Sequence, residues 1–345
     1  MKEIKCVVWD LDDTLWDGVL LEGDRVQLKP GVRDILNTLD NRGILLSIAS
    51  KNNHAQAMER LVEFGIDHYF LFPQINWNAK SSSLAKIKQS LNIGMDTIAF
   101  IDDQAFERDE AKSVHPEITV FDATAYRELL AMPRLNPKVI SDDSRRRRLM
   151  YVEDQNRQAA EAAYEGPTVK FLESLAMKFT ISRAREEDLQ RAEELTVRTN
   201  QLNSTGIQYS YDKLKELLES PTHHLWICEL VDRYGSYGKI GLVLVEIQGD
   251  VWHIRLLLMS CRTVSRGVGT VLLSFLMKKA KEEGKVLRAD FRRTERNRQM
   301  LMTYQFANFK EKERVKDITV FENDLSKIQD YPPYIQVIVA EEEKV

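Results

Sequence analysis

The sequence predicts an α/β protein of two domains, the first of them a doubly wound parallel sheet. Three observations predict it. Short apolar runs rich in β-branched residues alternate with stretches at helical spacing. The runs stop abruptly at polar or acidic residues, as strands do that open onto a ligand crevice. The 345 residues also exceed what one ordinary core encloses.

The first run, residues 4–9, is a buried strand that breaks into Asp10-Leu11-Asp12-Asp13. Residues two apart in an extended chain point to one side, so Asp10 and Asp12 converge. Their repulsion calls for a divalent cation or a shared proton. On composition alone the same stretch also reads as a solvated, Asp-rich strand end. Residues 20–28 are short and mixed, a small hairpin. Pro30-Gly31 opens a helix through Val32, Ile35, Leu36 and Leu39, closed by Gly43. Residues 44–49 form a second strand ending at Ser50-Lys51-Asn52, and a helix over 55–64 follows. Residues 69–72 are strand-like. Lys80 heads a helix over 81–91; 97–101 is a strand ending in Asp102-Asp103, and 114–121 gives one more.

Periodicity changes near residue 135, which predicts a first domain over 1–135, a helical linker over 136–178 and a second domain over 179–345. Arg145-Arg146-Arg147-Arg148 heads a polar helix to about Tyr164. Lacking interleaved aromatics, the arginines read as a solvated helix face. The second domain predicts helices near 186–200 and 211–219, then strands near 225–231, 239–247 and 251–261. A glycine-containing loop, a helix over 269–283, a strand over 286–292 and a helix over 295–305 complete it.

Composition narrows the class of function. A net charge of −4 argues against a nucleic-acid partner, and no apolar run reaches the length of a membrane span. Cys6, Cys228 and Cys261 are odd in number and widely spaced, which suits a cytoplasmic protein without disulfides or structural zinc. Cys6 and Cys228 lie inside apolar runs and read as core.

Asp10-x-Asp12-x-Thr14, Ser50, Lys80 and Asp102-Asp103 all fall at element ends that a doubly wound sheet brings to one crevice. Taken singly, Ser50 reads as a loop hydroxyl and Lys80 as a surface lysine. Together they have a phosphoryl-transfer chemistry. One carboxylate attacks phosphorus while another handles the proton, a hydroxyl and ammonium hold the phosphoryl oxygens, and acidic oxygens hold Mg²⁺.

This ordered set resembles the haloacid-dehalogenase-like phosphatases, whose motif is DxDx(T/V) with a downstream Ser or Thr, a Lys and a terminal DD. The resemblance implies Asp10 as nucleophile, Asp12 as general acid/base, and Ser50, Lys51 and Lys80 as phosphate ligands. It implies Asp10, Asp12, Asp102 and Asp103 around Mg²⁺, residue 12 through its carbonyl. Only 37 residues separate Asp12 from Ser50, which leaves room for a minimal cap.

Longer segments resemble the FkbH-like proteins of polyketide and hybrid antibiotic pathways: WDLDDTLWDGV (9–19), ILLSIASKNN (44–53), residues 75–110, RTNQLNSTG (198–206) and LMSCRTVSRGVGTVLL (258–273). That family joins a phosphatase domain to a GNAT-like acyltransferase domain. The resemblance implies transfer of the glyceryl group of 1,3-bisphosphoglycerate to a phosphopantetheinylated acyl carrier protein, with loss of phosphate. Arg266, Gly267, Val268 and Gly269 resemble the pyrophosphate loop (Q/R)xxGx(G/A) of that fold, with Val264 in place of the first Gln or Arg. This departure fits a carrier-borne pantetheine better than free coenzyme A.

Cys261, just beyond a strand lining the acyl cleft of that fold, is a candidate covalent carrier of glyceryl. His253 is a candidate to activate it, and Asn200, Asn203 and Asn297 are candidates for the acyl pocket. Two further readings stay open. One is a plain phosphatase whose second domain positions a partner. The other is a carrier-docking scaffold without activity.

Overall fold

The computed structural model describes residues 2–340. The chain divides into two compact units, one up to Val152 and one from Glu153.

In the first unit five parallel strands, β1 (Cys6–Trp9), β2 (Leu45–Ser50), β3 (Gln74–Ile75), β4 (Ile98–Asp102) and β5 (Thr119–Asp122), lie in the order β3-β2-β1-β4-β5. Trp9 stands opposite Ile48 on one side and Ile101 on the other. Alternate residues of β1 enter opposite cores, which is why the strand is apolar throughout. Val7 and Trp9 meet α1 (Val32–Asn41) and α2 (His54–Glu63). Cys6 and Val8 meet α3 (Lys80–Leu91) and α4 (Ala105–Val114). The insertion after β1 is small, with Trp16–Asp17 paired antiparallel to Gln27–Leu28.

The strand expected at 69–72 is displaced. Asp67–Tyr69 is a 3-10 turn, only Phe70 bridges Leu46, and the paired strand is β3. Phe72 adopts a positive φ of 51° ahead of Pro73, which ends any extended run there.

The division between the units falls inside α5 (Arg147–Ala162), within the 136–178 stretch. The arginine tract is not a solvated face throughout. Arg145 and Arg146 are exposed. By contrast, Arg147 donates to the Gly43 carbonyl (2.5 Å), and Arg148 donates to Asp40 (3.0 Å) and the His68 carbonyl (2.9 Å). The negative C-terminal end of α1, with Asp40 in its last turn, attracts them.

The second unit is a mixed sheet. Its strands are β6 (Met177–Arg183), β7 (His223–Asp232), β8 (Gly235–Gln248), β9 (Val251–Met259), β10 (Val286–Arg292), β11 (Lys310–Val315), β12 (Ile318–Asn323) and β13 (Ile335–Val339). They run in the order β11-β12-β10-β9-β8-β7-β6-β13. One face packs on α6 (Thr168–Ser174), α9 (Val268–Glu282) and α10 (Arg298–Phe306). The other packs on α7 (Leu189–Arg198) and α8 (Tyr211–Glu219). Parallel β9 and β10 pair only from Val251–Val286 to Ile254–Ala289, after which residues 202–205 lie between them. Ser204 N donates to Leu257 O (2.9 Å), Met259 N to Leu202 O (2.8 Å) and Arg292 N to Ser204 O (2.9 Å). Among the described residues no helix is long and apolar enough to cross a membrane.

Candidate active site

β1 lies at the point where the strand order reverses, and its carboxyl end delivers Asp10 to that crevice. The Asp10 N–H continues the ladder to Ile101 O (2.9 Å), which fixes the side chain beside the end of β4. There Lys80, at the first position of α3, donates to Asp10 Oδ1 (2.6 Å) and the Ala49 carbonyl (2.8 Å), and lies 3.0 Å from Asp102 Oδ2. All three side chains are buried. Burial pulls the Lys80 ammonium toward deprotonation, but the charges of Asp10 and Asp102 outweigh it and raise its pKa. Asp102 is pushed up to about 6 by burial and then by the Asp10 charge, with Lys80 pulling back.

One ammonium therefore stands against several carboxylates. Asp10, Asp102 and Asp103 each offer an oxygen within 4.8 Å of the others. Such crowded hard-oxygen donors, partly desolvated, suit a divalent cation. Thr14 braces this cluster by accepting from the Asp103 N–H (3.0 Å).

Asp12 lies outside that oxygen cluster. Its Oδ1 accepts from Trp16 Nε1 (2.8 Å) and Leu20 N (3.1 Å), and its Oδ2 accepts from Asn52 Nδ2 (2.9 Å). Burial raises its pKa, against the pull of the Leu20 and Trp16 donors. Ser50 is buried at the end of β2, two residues before Asn52. Lys51 turns aside to Glu107 of α4 (2.6 Å). Sequence reasoning missed Trp16 and Asn52. The available signals were a Trp four residues after Asp12 and a second polar residue beyond Ser50.

The second unit separates residues that the sequence grouped. His253 precedes Met259 by six residues of β9, about 20 Å at the rise of a strand, so it cannot activate Cys261. His253 instead pairs with Asp290 (2.7 Å), which Arg255 also contacts (2.9 Å). Burial pushes Asp290 up, but these two partners outweigh it and hold its carboxyl below the ordinary value. Cys261 is partly exposed and begins a short turn, Cys261–Arg266.

Arg266 is turned inward, 4% exposed and 3.1 Å from Glu161, and so is not presented to a phosphate. Gly267 and Gly269 do line a cleft of about 280 Å³, with Met259, Thr270, Met302 and Phe306. Val268 is buried and does not line it. Asn200 is exposed. Asn203 and Asn297 hold the inserted segment: Asn203 Oδ1 accepts from Gly206 N (2.8 Å), and Asn297 Nδ2 donates to Asn203 O (3.0 Å) and Arg292 O (2.8 Å). They serve the backbone there, not an acyl pocket.

A doubly wound sheet thus carries a carboxylate–ammonium cluster at its switch point. Residues 16–117 match the family model of haloacid dehalogenase-like hydrolases. Over 119 residues the chain is 27% identical to magnesium-dependent phosphatase 1 of Homo sapiens, a match covering 29% of this chain and 68% of that protein. The N-terminal part of protein BF1531 from Bacteroides fragilis, containing a phosphatase domain complexed with Mg, is 31% identical with a TM-score of 0.32. The match covers 39% of this chain and 40% of that one. The ribosomal-protein-S18-alanine N-acetyltransferase from Escherichia coli is 15% identical with a TM-score of 0.34, over 44% of this chain and 97% of that one.

Proposed function

We propose that the protein is a Mg²⁺-dependent phosphatase joined to an acyltransferase. It removes phosphate from 1,3-bisphosphoglycerate and loads glyceryl onto the phosphopantetheine thiol of an acyl carrier protein. The observation that carries the phosphatase part is Lys80 held between buried Asp10 and Asp102, with a separately held carboxylate, Asp12, two residues along. The free carboxylate oxygen of Asp10 attacks phosphorus, and the bond from phosphorus to the leaving oxygen breaks. Asp12 gives its proton to that oxygen, which leaves as the hydroxyl. Water then attacks the aspartyl phosphate and yields its proton to Asp12, and Asp10 leaves as carboxylate. Lys80 and the Ser50 hydroxyl stabilise the phosphoryl oxygens. Asp10, Asp102 and Asp103 would hold Mg²⁺, which supplies positive charge against both carboxylates and phosphate.

In the second half, the Cys261 thiolate attacks the acyl carbon of the acyl phosphate, the bond from that carbon to the phosphate oxygen breaks and inorganic phosphate leaves, so the Asp10 site acts on the 3-phosphate ester. The carrier thiolate then attacks the Cys261 thioester along the Gly267–Gly269 cleft, and Cys261 leaves as thiolate. The filled gap between β9 and β10, together with the inward Arg266, favours a second reading: a phosphatase whose C-terminal unit only positions a partner.

One experiment separates the two. The protein is incubated with 1,3-bisphosphoglycerate, Mg²⁺ and phosphopantetheinylated carrier, and both proteins are weighed intact. Glyceryl on the carrier supports the first reading. Phosphate release with no glyceryl on either protein supports the second. If Cys261→Ala loads the carrier at the normal rate, the thioester step is wrong.

A further inference from the structure

The Asp12 carboxylate is gripped at both oxygens by donors from separate parts of the chain. Trp16 Nε1–H and Leu20 N–H meet Oδ1, and Asn52 Nδ2–H meets Oδ2. Neither side-chain donor is free to drift. Trp16 is fully buried, tilted against Phe64 with ring centroids 6.1 Å apart, and its backbone pairs with Leu28. Asn52 is 1% exposed, and its Oδ1 accepts from the Asn53 N–H (2.9 Å), which turns the amide nitrogen toward Asp12.

A carboxylate has roughly four lone-pair sites. Oδ1 uses both of its own, and Oδ2 uses one. A single open site remains, on Oδ2.

We infer that Trp16 and Asn52 are positioning residues for the proton step. They fix both torsions of Asp12 and leave Oδ2 as the oxygen that carries the proton. This rests on the reading of Asp12 as the acid/base. A group transferring a proton must lie within hydrogen-bond reach of the reacting oxygen, and a displacement near 1 Å costs about a hundredfold. Three donors on two oxygens restrict that displacement; one donor would leave the carboxylate free to swing.

The test uses the full chain with Mg²⁺ and a series of aryl phosphates whose leaving groups differ in basicity, from 4-nitrophenyl to phenyl. Trp16→Phe keeps the buried ring and removes only the N–H; Asn52→Ala removes the second donor from an unrelated stretch. In both variants kcat/KM for phenyl phosphate should fall by about tenfold more than for 4-nitrophenyl phosphate, a fraction of the usual acid/base contribution. Rapid quenching with intact mass should also show the phosphoryl group lingering on Asp10, because the same carboxylate takes the proton from water.

A uniform loss across the series, or no loss, overturns the positioning role. Failure of the underlying reading looks different. Asp12→Asn would then leave the leaving-group dependence as it is in the unaltered protein. An unaltered protein that releases phosphate from no aryl ester overturns both.

Discussion

Lys80 is the residue on which the N-terminal site turns, because one buried ammonium offsets two buried carboxylates. Replacing it by Met keeps the apolar stem and strands Asp10 and Asp102 side by side. Breaking a buried pair from one side costs about 3 kcal/mol or more, and on the proposed mechanism losing the charge that stabilises the phosphoryl oxygens costs about a hundredfold in kcat. Urea melts and phosphate release should show both losses, and Mg²⁺ should restore part of the stability and little of the rate. Asp10, Lys80 and Asp102 were legible in the sequence because each sits where an apolar strand or a helix start changes character. Trp16 and Asn52 were not. An indole in an apolar neighbourhood reads as core and an amide in a turn reads as loop. Their meaning lies in Asp12, which the fold brings to them.

At the scale of elements, the segment 202–205 between β9 and β10 replaces the missing part of a parallel ladder. Asn297 secures it by donating to Asn203 O and Arg292 O while accepting from Thr294 N (2.8 Å). Asn297→Ala orphans buried acceptors and should cost about 2–3 kcal/mol. Hydrogen exchange at the amides of Ser204, Met259 and Arg292 should quicken more than elsewhere in the sheet, since these join the segment to its neighbours. The strands themselves were readable from their alternation and their apolar runs. Their splaying was not, because a strand's own pattern says which face is buried and nothing about where its partner departs. The displaced strand after residue 69 has a similar cause: four apolar residues promise a strand, and one positive φ at Phe72 refuses it.

For the whole molecule, alternation of strand and helix announced two α/β bodies, whereas sheet order needed the structure. Each unit has its own cores. Among the described residues a cluster of three carboxylates is found in the first unit. Mg²⁺ at a hundred times its dissociation constant should therefore add about 2.7 kcal/mol to the N-terminal unit. Calorimetry should show that transition rise by a few degrees, and Asp102→Asn should remove the rise. The three cysteines carry one more consequence. Cys6 and Cys228 are wholly enclosed, and burial pushes both thiols far above their ordinary range, while Cys261 reaches solvent. The native chain thus offers a single address for alkylating dyes. One equivalent of fluorophore reports from the C-terminal unit with no engineered handle and the Asp10–Lys80–Asp102 cluster untouched.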